Sequence, residues 1–77
     1  MVLRIEQAIA RAKEQGRKIR KKDISLALWP EGSEASRIIN MGRLCNGTTR
    51  RIEPEWLVKI SEITGVSVEF LLGTSNE

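Results

Sequence analysis

The sequence predicts an all-α domain of five short helices. Three observations support this fold class. Apolar residues recur at spacings of three and four, Gly, Pro and Ser residues divide the chain into short segments, and no segment alternates apolar and polar residues convincingly as a half-buried strand does. The 77 residues are enough for one modest core. We therefore predict a single domain over residues 1–73 and a frayed tail over residues 74–77.

The first two predicted helices cover residues 3–15 and 21–29. The first helix carries an apolar stripe at positions i, i+3, i+4 and i+7, formed by Ile5, Ala8, Ile9 and Ala12. Gly16 ends it, because glycine tolerates the left-handed conformation that follows many helices. The second helix ends before Pro30, since the residue preceding a proline is disfavoured in the helical region.

The third predicted helix covers residues 33–46, with Ser33 as its N-cap and Asn46-Gly47 at its end. Its spacing predicts an apolar face that packs on the second helix, formed by Ile38, Met41, Leu44 and Cys45. A second face carries polar residues at i, i+3 and i+6, namely Arg37, Asn40 and Arg43. A basic loop containing Arg50 and Arg51 follows this helix.

The fourth predicted helix covers residues 54–64, with Pro54 in the first helical position, which suits proline. Its apolar stripe consists of Trp56, Leu57, Ile60 and Ile63. Gly65 ends this helix, and Ser67 caps a short fifth helix that runs to about Leu72. Val66 and Leu71 have the spacing of a hydrophobic staple across that cap.

Charge is distributed unevenly along the chain, whose formal net charge is +3. Residues 1–51 carry 12 basic and 5 acidic side chains, whereas residues 52–77 carry one basic and five acidic side chains. Residues 17–22 alone contain five cations. This asymmetry indicates either a polyanionic partner or merely a solvated basic surface, and the charges alone do not decide between them.

Several functional classes are not expected from this composition. The chain has no histidine, the usual general base near neutral pH, so we do not expect an enzyme. A single cysteine, Cys45, allows neither an internal disulfide nor a zinc site, and we expect no metal or cofactor. No apolar run approaches the ~20 residues of a membrane helix, and no signal peptide is recognisable. We therefore expect a cytoplasmic protein.

The polar face of the third helix is chemically suited to base edges of duplex DNA. Arginine donates two hydrogen bonds to guanine, and asparagine pairs with adenine in the same way. We predict five base-contacting residues: Ser36, Arg37, Ile39, Asn40 and Arg43. We predict four phosphate-contacting residues on either side of this helix: Lys21, Lys22, Arg50 and Arg51. The alternative interpretation is an ordinary amphipathic surface helix.

The order of these elements resembles the lambda-repressor-like, or Cro-type, helix-turn-helix domains. Residues 57–73, with two helices joined by Gly-Val-Ser and ending in Leu-Leu-Gly, are similar to the closing segment of that family. Asp23-Ile24-Ser25 resembles its second helix, and Leu44-Cys45-Asn46-Gly47 resembles the end of its recognition helix. The chain between Ser25 and Gly47 is longer than the family pattern, so the turn at residues 29–33 is expected to absorb the difference.

The resemblance implies a small transcriptional regulator that binds double-stranded DNA as a homodimer on a palindromic site. The acidic fourth and fifth helices would then form the dimer surface, facing away from DNA. An alternative function is a protein-interaction module of the same fold, antitoxin-like or specific for a phage or host partner, without a specific DNA site. Steep salt dependence of binding to duplex DNA distinguishes the first function from the second.

Overall fold

The computed structural model describes residues 2–74, and over this range it contains five α-helices and no strand. The helices are α1 (Ile5–Glu14), α2 (Lys21–Leu28), α3 (Glu34–Asn46), α4 (Pro54–Thr64) and α5 (Val68–Leu72). The predicted all-α class and the number of helices are confirmed. Each predicted boundary lies within two residues of the observed one.

Serine hydroxyls cap the beginnings of two of the five helices, α3 and α5. The Ser33 hydroxyl accepts a hydrogen bond from the Ser36 backbone N–H at 3.1 Å, and the Ser67 hydroxyl accepts one from the Phe70 N–H at 3.0 Å. Such caps satisfy backbone donors that have no partner within the helix. Both predicted serine caps are therefore confirmed.

One core joins all five helices. Each helix contributes one large apolar side chain that is at most 1% exposed, and these are Ile5, Ile24, Leu44, Ile60 and Leu71. Burial of such side chains is the main source of stability in a domain of this size. The predicted apolar stripes of α1 and α4 both face this core.

Helix α3 packs chiefly against α2 and leaves its opposite side open to solvent. Ser25 lies in α2 with only 5% of its surface exposed, and its hydroxyl donates to the Lys22 carbonyl at 2.9 Å. A small side chain with its hydroxyl satisfied within its own helix allows close approach of a neighbouring helix. The contact between α2 and α3 therefore determines which side of α3 faces outward.

The sequence pattern is wrong about Ile38. It groups Ile38 with Met41 and Leu44, which are indeed buried, but Ile38 is 66% exposed. At 100° per residue, Ile38 lies about 90° away from the direction midway between Met41 and Leu44. The apolar spacing thus identifies the buried side of α3 only to within a quarter turn.

The carboxyl-terminal end of the domain includes Thr74. Its backbone N–H and its hydroxyl both donate to the Glu69 carbonyl, at 2.9 Å and 3.2 Å, and so close α5. The remaining residues of the predicted tail, 75–77, lie outside the described part of the chain. No helix within residues 2–74 is long and apolar enough to cross a membrane.

Candidate nucleic-acid interface

The solvent-facing side of α3 combines polar and apolar side chains. We call it the outer face of α3, and its exposed residues are Ala35, Ser36, Ile38, Ile39, Gly42, Arg43 and Asn46. Glu34, at the first position of the helix, is the only carboxylate in α3. Beyond that position the outer face therefore combines one cation with hydroxyl, amide and apolar groups.

An open groove of about 390 Å³, here called the lysine groove, lies on one side of the outer face. Lys21, Lys22 and Ser25 of α2 line one wall, and Ile38 and Gly42 of α3 line the other. The lysine groove is thus mainly apolar along its α3 wall, and its rim carries the two lysines together with the Glu6 carboxylate of α1.

A second groove of about 570 Å³, here called the tryptophan groove, runs along α3 on the other side. Asn40 and Arg43 contribute from α3, Arg50 from the following loop, and Trp29 and Trp56 from its far wall. The α3 residues that line the two grooves lie roughly 150° apart around the helix axis. Helix α3 is therefore a ridge between two grooves, and each groove carries cationic side chains.

Lys21 is paired with a carboxylate. Its ammonium donates to Glu6 at 2.7 Å, and this hydrogen bond lowers the pKa of Glu6 and raises the pKa of Lys21. Both side chains remain substantially exposed, so the pair is weak and open to competition from other anions. Neighbouring Lys22 is exposed and forms no ion pair with residues 2–74.

The loop after α3 holds its two predicted phosphate ligands differently. Thr48 closes α3 by donating its backbone N–H and its hydroxyl to the Arg43 carbonyl, at 3.0 Å and 3.3 Å. Arg50 then lies exposed at the tryptophan groove. Arg51 is also exposed, but its guanidinium lies 3.6 Å from the Glu53 carboxylate. Of the two arginines, only Arg51 is therefore paired with a carboxylate within the described residues.

The predicted base-contacting residues are not all on the outer face. Ser36, Ile39 and Arg43 are exposed there, and the Arg43 side chain forms no hydrogen bond within the described residues. Asn40 is half-buried at the tryptophan groove, with its amide 3.5 Å from the Ser36 hydroxyl. The structure thus brings four of the five together along α3.

Arg37 lies apart from the other predicted readers. Its guanidinium donates to the Gly32 carbonyl and is half-buried over the turn that precedes α3. Sequence reasoning missed this role, although Gly32 precedes Arg37 by five residues and lies next to the Ser33 cap. Arg37 therefore holds the turn in place, and its side chain does not project from the outer face.

The turn between α2 and α3 is also anchored by an aromatic pair that sequence reasoning missed. The rings of Trp29 and Trp56 meet edge to face, with centroids 5.4 Å apart and planes at 70°. The Gly32 N–H donates to the Trp29 carbonyl at 3.2 Å. Two of only three aromatic residues in the chain thus join the turn to α4, which fixes the orientation of α3.

Cys45 is a half-buried thiol on the inner side of α3. Burial raises its pKa, so the thiol form predominates at neutral pH. No three His, Cys, Asp or Glu side chains within residues 2–74 are grouped so that they could hold a metal ion.

Comparisons with protein-family models, with curated proteins and with solved structures each found no match for this chain.

Proposed function

We propose that this chain is a small transcriptional regulator of the lambda-repressor-like helix-turn-helix type, which binds double-stranded DNA sequence-specifically with α3 in the major groove. One observation carries this proposal: the outer face of α3 is a ridge flanked on both sides by grooves with cationic side chains. A helix with side chains is about 10–12 Å across, and the major groove is about 12 Å wide. With α3 in the major groove, the two sugar-phosphate backbones that border it would lie close to the cations of the two grooves beside α3.

The charges around α3 support a polyanionic partner. Lys22 is available at the lysine groove, and Arg50 is available at the tryptophan groove. Lys21 and Arg51 are paired with the exposed Glu6 and the half-buried Glu53, and a phosphate can replace these carboxylates at little cost because ion pairs at the surface are weak. These four cations are the proposed phosphate contacts.

Base reading is assigned to residues on the ridge and at its edge toward the tryptophan groove. Arg43 is the proposed guanine reader and Asn40 the proposed adenine reader, because each carries the fitting pair of hydrogen-bonding groups. Ser36 and Ile39 complete the reading surface. Arg37 acts indirectly, by holding the turn that orients the beginning of α3.

A second copy of the chain is the proposed partner on DNA. One recognition helix covers few base pairs, and dimers on palindromic sites double that coverage. The proposed dimer surface is the exposed side of α4 and α5, which carries Val58, Glu62 and Glu69. A two-fold axis through that surface, perpendicular to the duplex, would place both α3 helices on the side of the dimer that faces DNA.

Selection from a random duplex pool, followed by binding measurements on variants at one salt concentration, tests the proposal. Arg43→Ala and Asn40→Ala should weaken binding to the selected duplex about 5- to 150-fold more than binding to random duplex, since a bidentate base contact is worth about 1–3 kcal/mol of discrimination. Arg43→Lys keeps the charge but loses the fork geometry, so it should lose specificity while retaining random binding.

Arg50→Ala is the matched control, since a phosphate contact carries no sequence information. It should weaken selected and random duplexes about equally. Unchanged specificity in all the α3 variants would remove α3 from the major groove and contradict the proposal.

A protein-interaction module is the second candidate function, and exposed apolar side chains favour it. On α3 the neighbouring Ile38 and Ile39 are 66% and 55% exposed, and Leu26 on α2 is 52% exposed. Clustered exposed apolar surface often marks a protein contact. Weak, salt-insensitive retention on duplex DNA together with dependence of a protein partner on these side chains would favour this function.

A further inference from the structure

Gly42 is placed where the fold itself does not require a glycine. It lies in the middle of α3, its φ is not positive, and a Cβ built on it meets nothing within 4 Å. Glycine is among the poorest helix formers, so an interior position without a backbone or packing reason is costly. What Gly42 does provide is an open notch in the outer face of α3.

Two exposed isoleucines border this notch. Ile38 and Ile39 precede Gly42 by four and three residues, which places both on the adjoining turn of the helix. They are 66% and 55% exposed, respectively. Ile38 and Gly42 also line the lysine groove. We call the surface formed by Ile38, Ile39 and Gly42 the isoleucine notch.

The surroundings of the isoleucine notch fit a polyanion that carries apolar groups. Lys21 and Lys22 lie across the lysine groove, and Arg43 follows Gly42 on the outer face. The nearest carboxylates are Glu6, which is bonded to Lys21, and Glu34 at the first position of α3. This charge pattern favours duplex DNA as the partner. An apolar protein surface with few acidic residues would form no favourable contacts with the cations.

We infer that the isoleucine notch reads thymine, by receiving 5-methyl groups in the major groove. This inference rests on the proposed DNA-binding function and assigns an A·T-containing segment to the site. The thymine methyl is the one apolar group among the base-edge groups that distinguish base pairs in the major groove. Without a Cβ at Gly42, the helix backbone comes closer to the base edges, so that both isoleucine side chains reach van der Waals distance.

Replacing thymine by deoxyuridine tests the inference directly. Deoxyuridine pairs with adenine through the same hydrogen bonds and lacks only the methyl group. In the duplex selected by the wild-type chain, single replacements at contacted positions should weaken binding about fourfold each, which corresponds to about 0.8 kcal/mol for a buried methyl-sized group. Replacements elsewhere should have no effect.

Variants connect the effect to the notch. Ile38→Ala and Ile39→Ala should each reduce the thymine-to-deoxyuridine affinity ratio toward one at a contacted position. Val2→Ala is the matched control, because Val2 is 63% exposed ahead of α1 and its truncation should leave every ratio unchanged. All three side chains are exposed, so these variants should fold normally, as thermal unfolding can verify.

Gly42→Ala adds an independent readout. Open space around its Cβ and better helix propensity predict an unfolding midpoint no lower than that of the wild type. Affinity for the selected duplex should nevertheless fall at least tenfold, because the methyl group occupies the notch.

The outcomes separate the inference from the proposed function. A selected duplex whose affinity is insensitive to every deoxyuridine replacement overturns the inference and leaves sequence-specific DNA binding standing. Failure to select any duplex overturns both. Loss of a protein partner in Ile38→Ala and Ile39→Ala, with DNA binding intact, also overturns the inference, because the notch is then a protein contact.

Discussion

At the scale of single residues, Arg37 and its neighbour Ile38 show what periodicity predicts and what it misses. The pattern assigns Arg37 to the polar face and Ile38 to the buried face, whereas the structure buries half of Arg37 and exposes Ile38. The two differ by one position, or 100° around α3. The rotation of a helix about its axis depends on its partner, here the α2 surface around Ser25, and local spacing does not contain that information.

Replacing Arg37 tests its assigned role in the turn. Arg37→Met retains much of the aliphatic stem but cannot donate to the Gly32 carbonyl, so we expect the free energy of unfolding to fall by about 1–2 kcal/mol. In a domain of this size, that lowers the thermal midpoint by roughly 4–8 °C per kcal/mol. Circular dichroism during heating measures the thermal midpoints of Arg37→Met and the wild type.

Arg43→Met is the matched control for Arg37→Met, because Arg43 lies on the same helix without a hydrogen bond within the described residues. Its thermal midpoint should remain at the wild-type value. If Arg37→Met also unfolds like the wild type and loses only binding to the selected duplex, Arg37 is a base reader, as the spacing alone predicts.

At the scale of helices, the sequence predicts the elements well because their ends are encoded locally. Ser33, Ser67 and Pro54 mark helix starts through groups within one turn of each boundary. The Trp29–Trp56 contact was not predictable in this way, since it joins two elements 27 positions apart. Local chemistry thus gives the helices, while the orientation of α3 depends on contacts between distant residues.

The beginning of α2 has a pH dependence that follows from Asp23. Its carboxylate accepts a hydrogen bond from the Arg20 backbone N–H at 3.0 Å, and this bond holds the pKa of Asp23 below its ordinary value of 3.8. A carboxyl with a lowered pKa stabilises the fold fully above its unfolded pKa. That contribution disappears as the pH falls through the lower, folded-state value.

Asp23→Asn should therefore destabilise the protein above about pH 4 and have a progressively smaller effect at lower pH. Chemical unfolding of both proteins between pH 2 and pH 7 gives the difference in the free energy of unfolding at each pH. A constant difference across this range would show that ionisation of Asp23 does not matter to the cap.

At the scale of the whole molecule, positive and negative charges are distributed unevenly over the elements of the fold. Residues 1–51 hold 12 of the 13 cations, including those at both grooves beside α3. The exposed parts of α4 and α5 instead carry Glu55, Glu62 and Glu69. The sequence predicts this polarity from composition, but only the fold shows that the cations lie on both sides of one exposed helix.

The two-sided charge leads to a quantitative expectation for salt. If Lys21, Lys22, Arg50 and Arg51 each neutralise one phosphate, the logarithm of the association constant should fall with the logarithm of salt concentration with a slope of roughly −3.6. Lys22→Gln should weaken binding to selected and random duplexes alike and reduce the steepness of the slope by about 0.9.

Lys59→Gln is the control: Lys59 is the one cation among residues 52–77 and its ammonium donates to the Ala27 carbonyl at 3.4 Å, so the slope should not change. Titrations of labelled duplex at four or more salt concentrations measure all three slopes. A wild-type slope near zero would contradict an electrostatic interface, and an equal change in both variants would show that net charge matters and the grooves beside α3 do not.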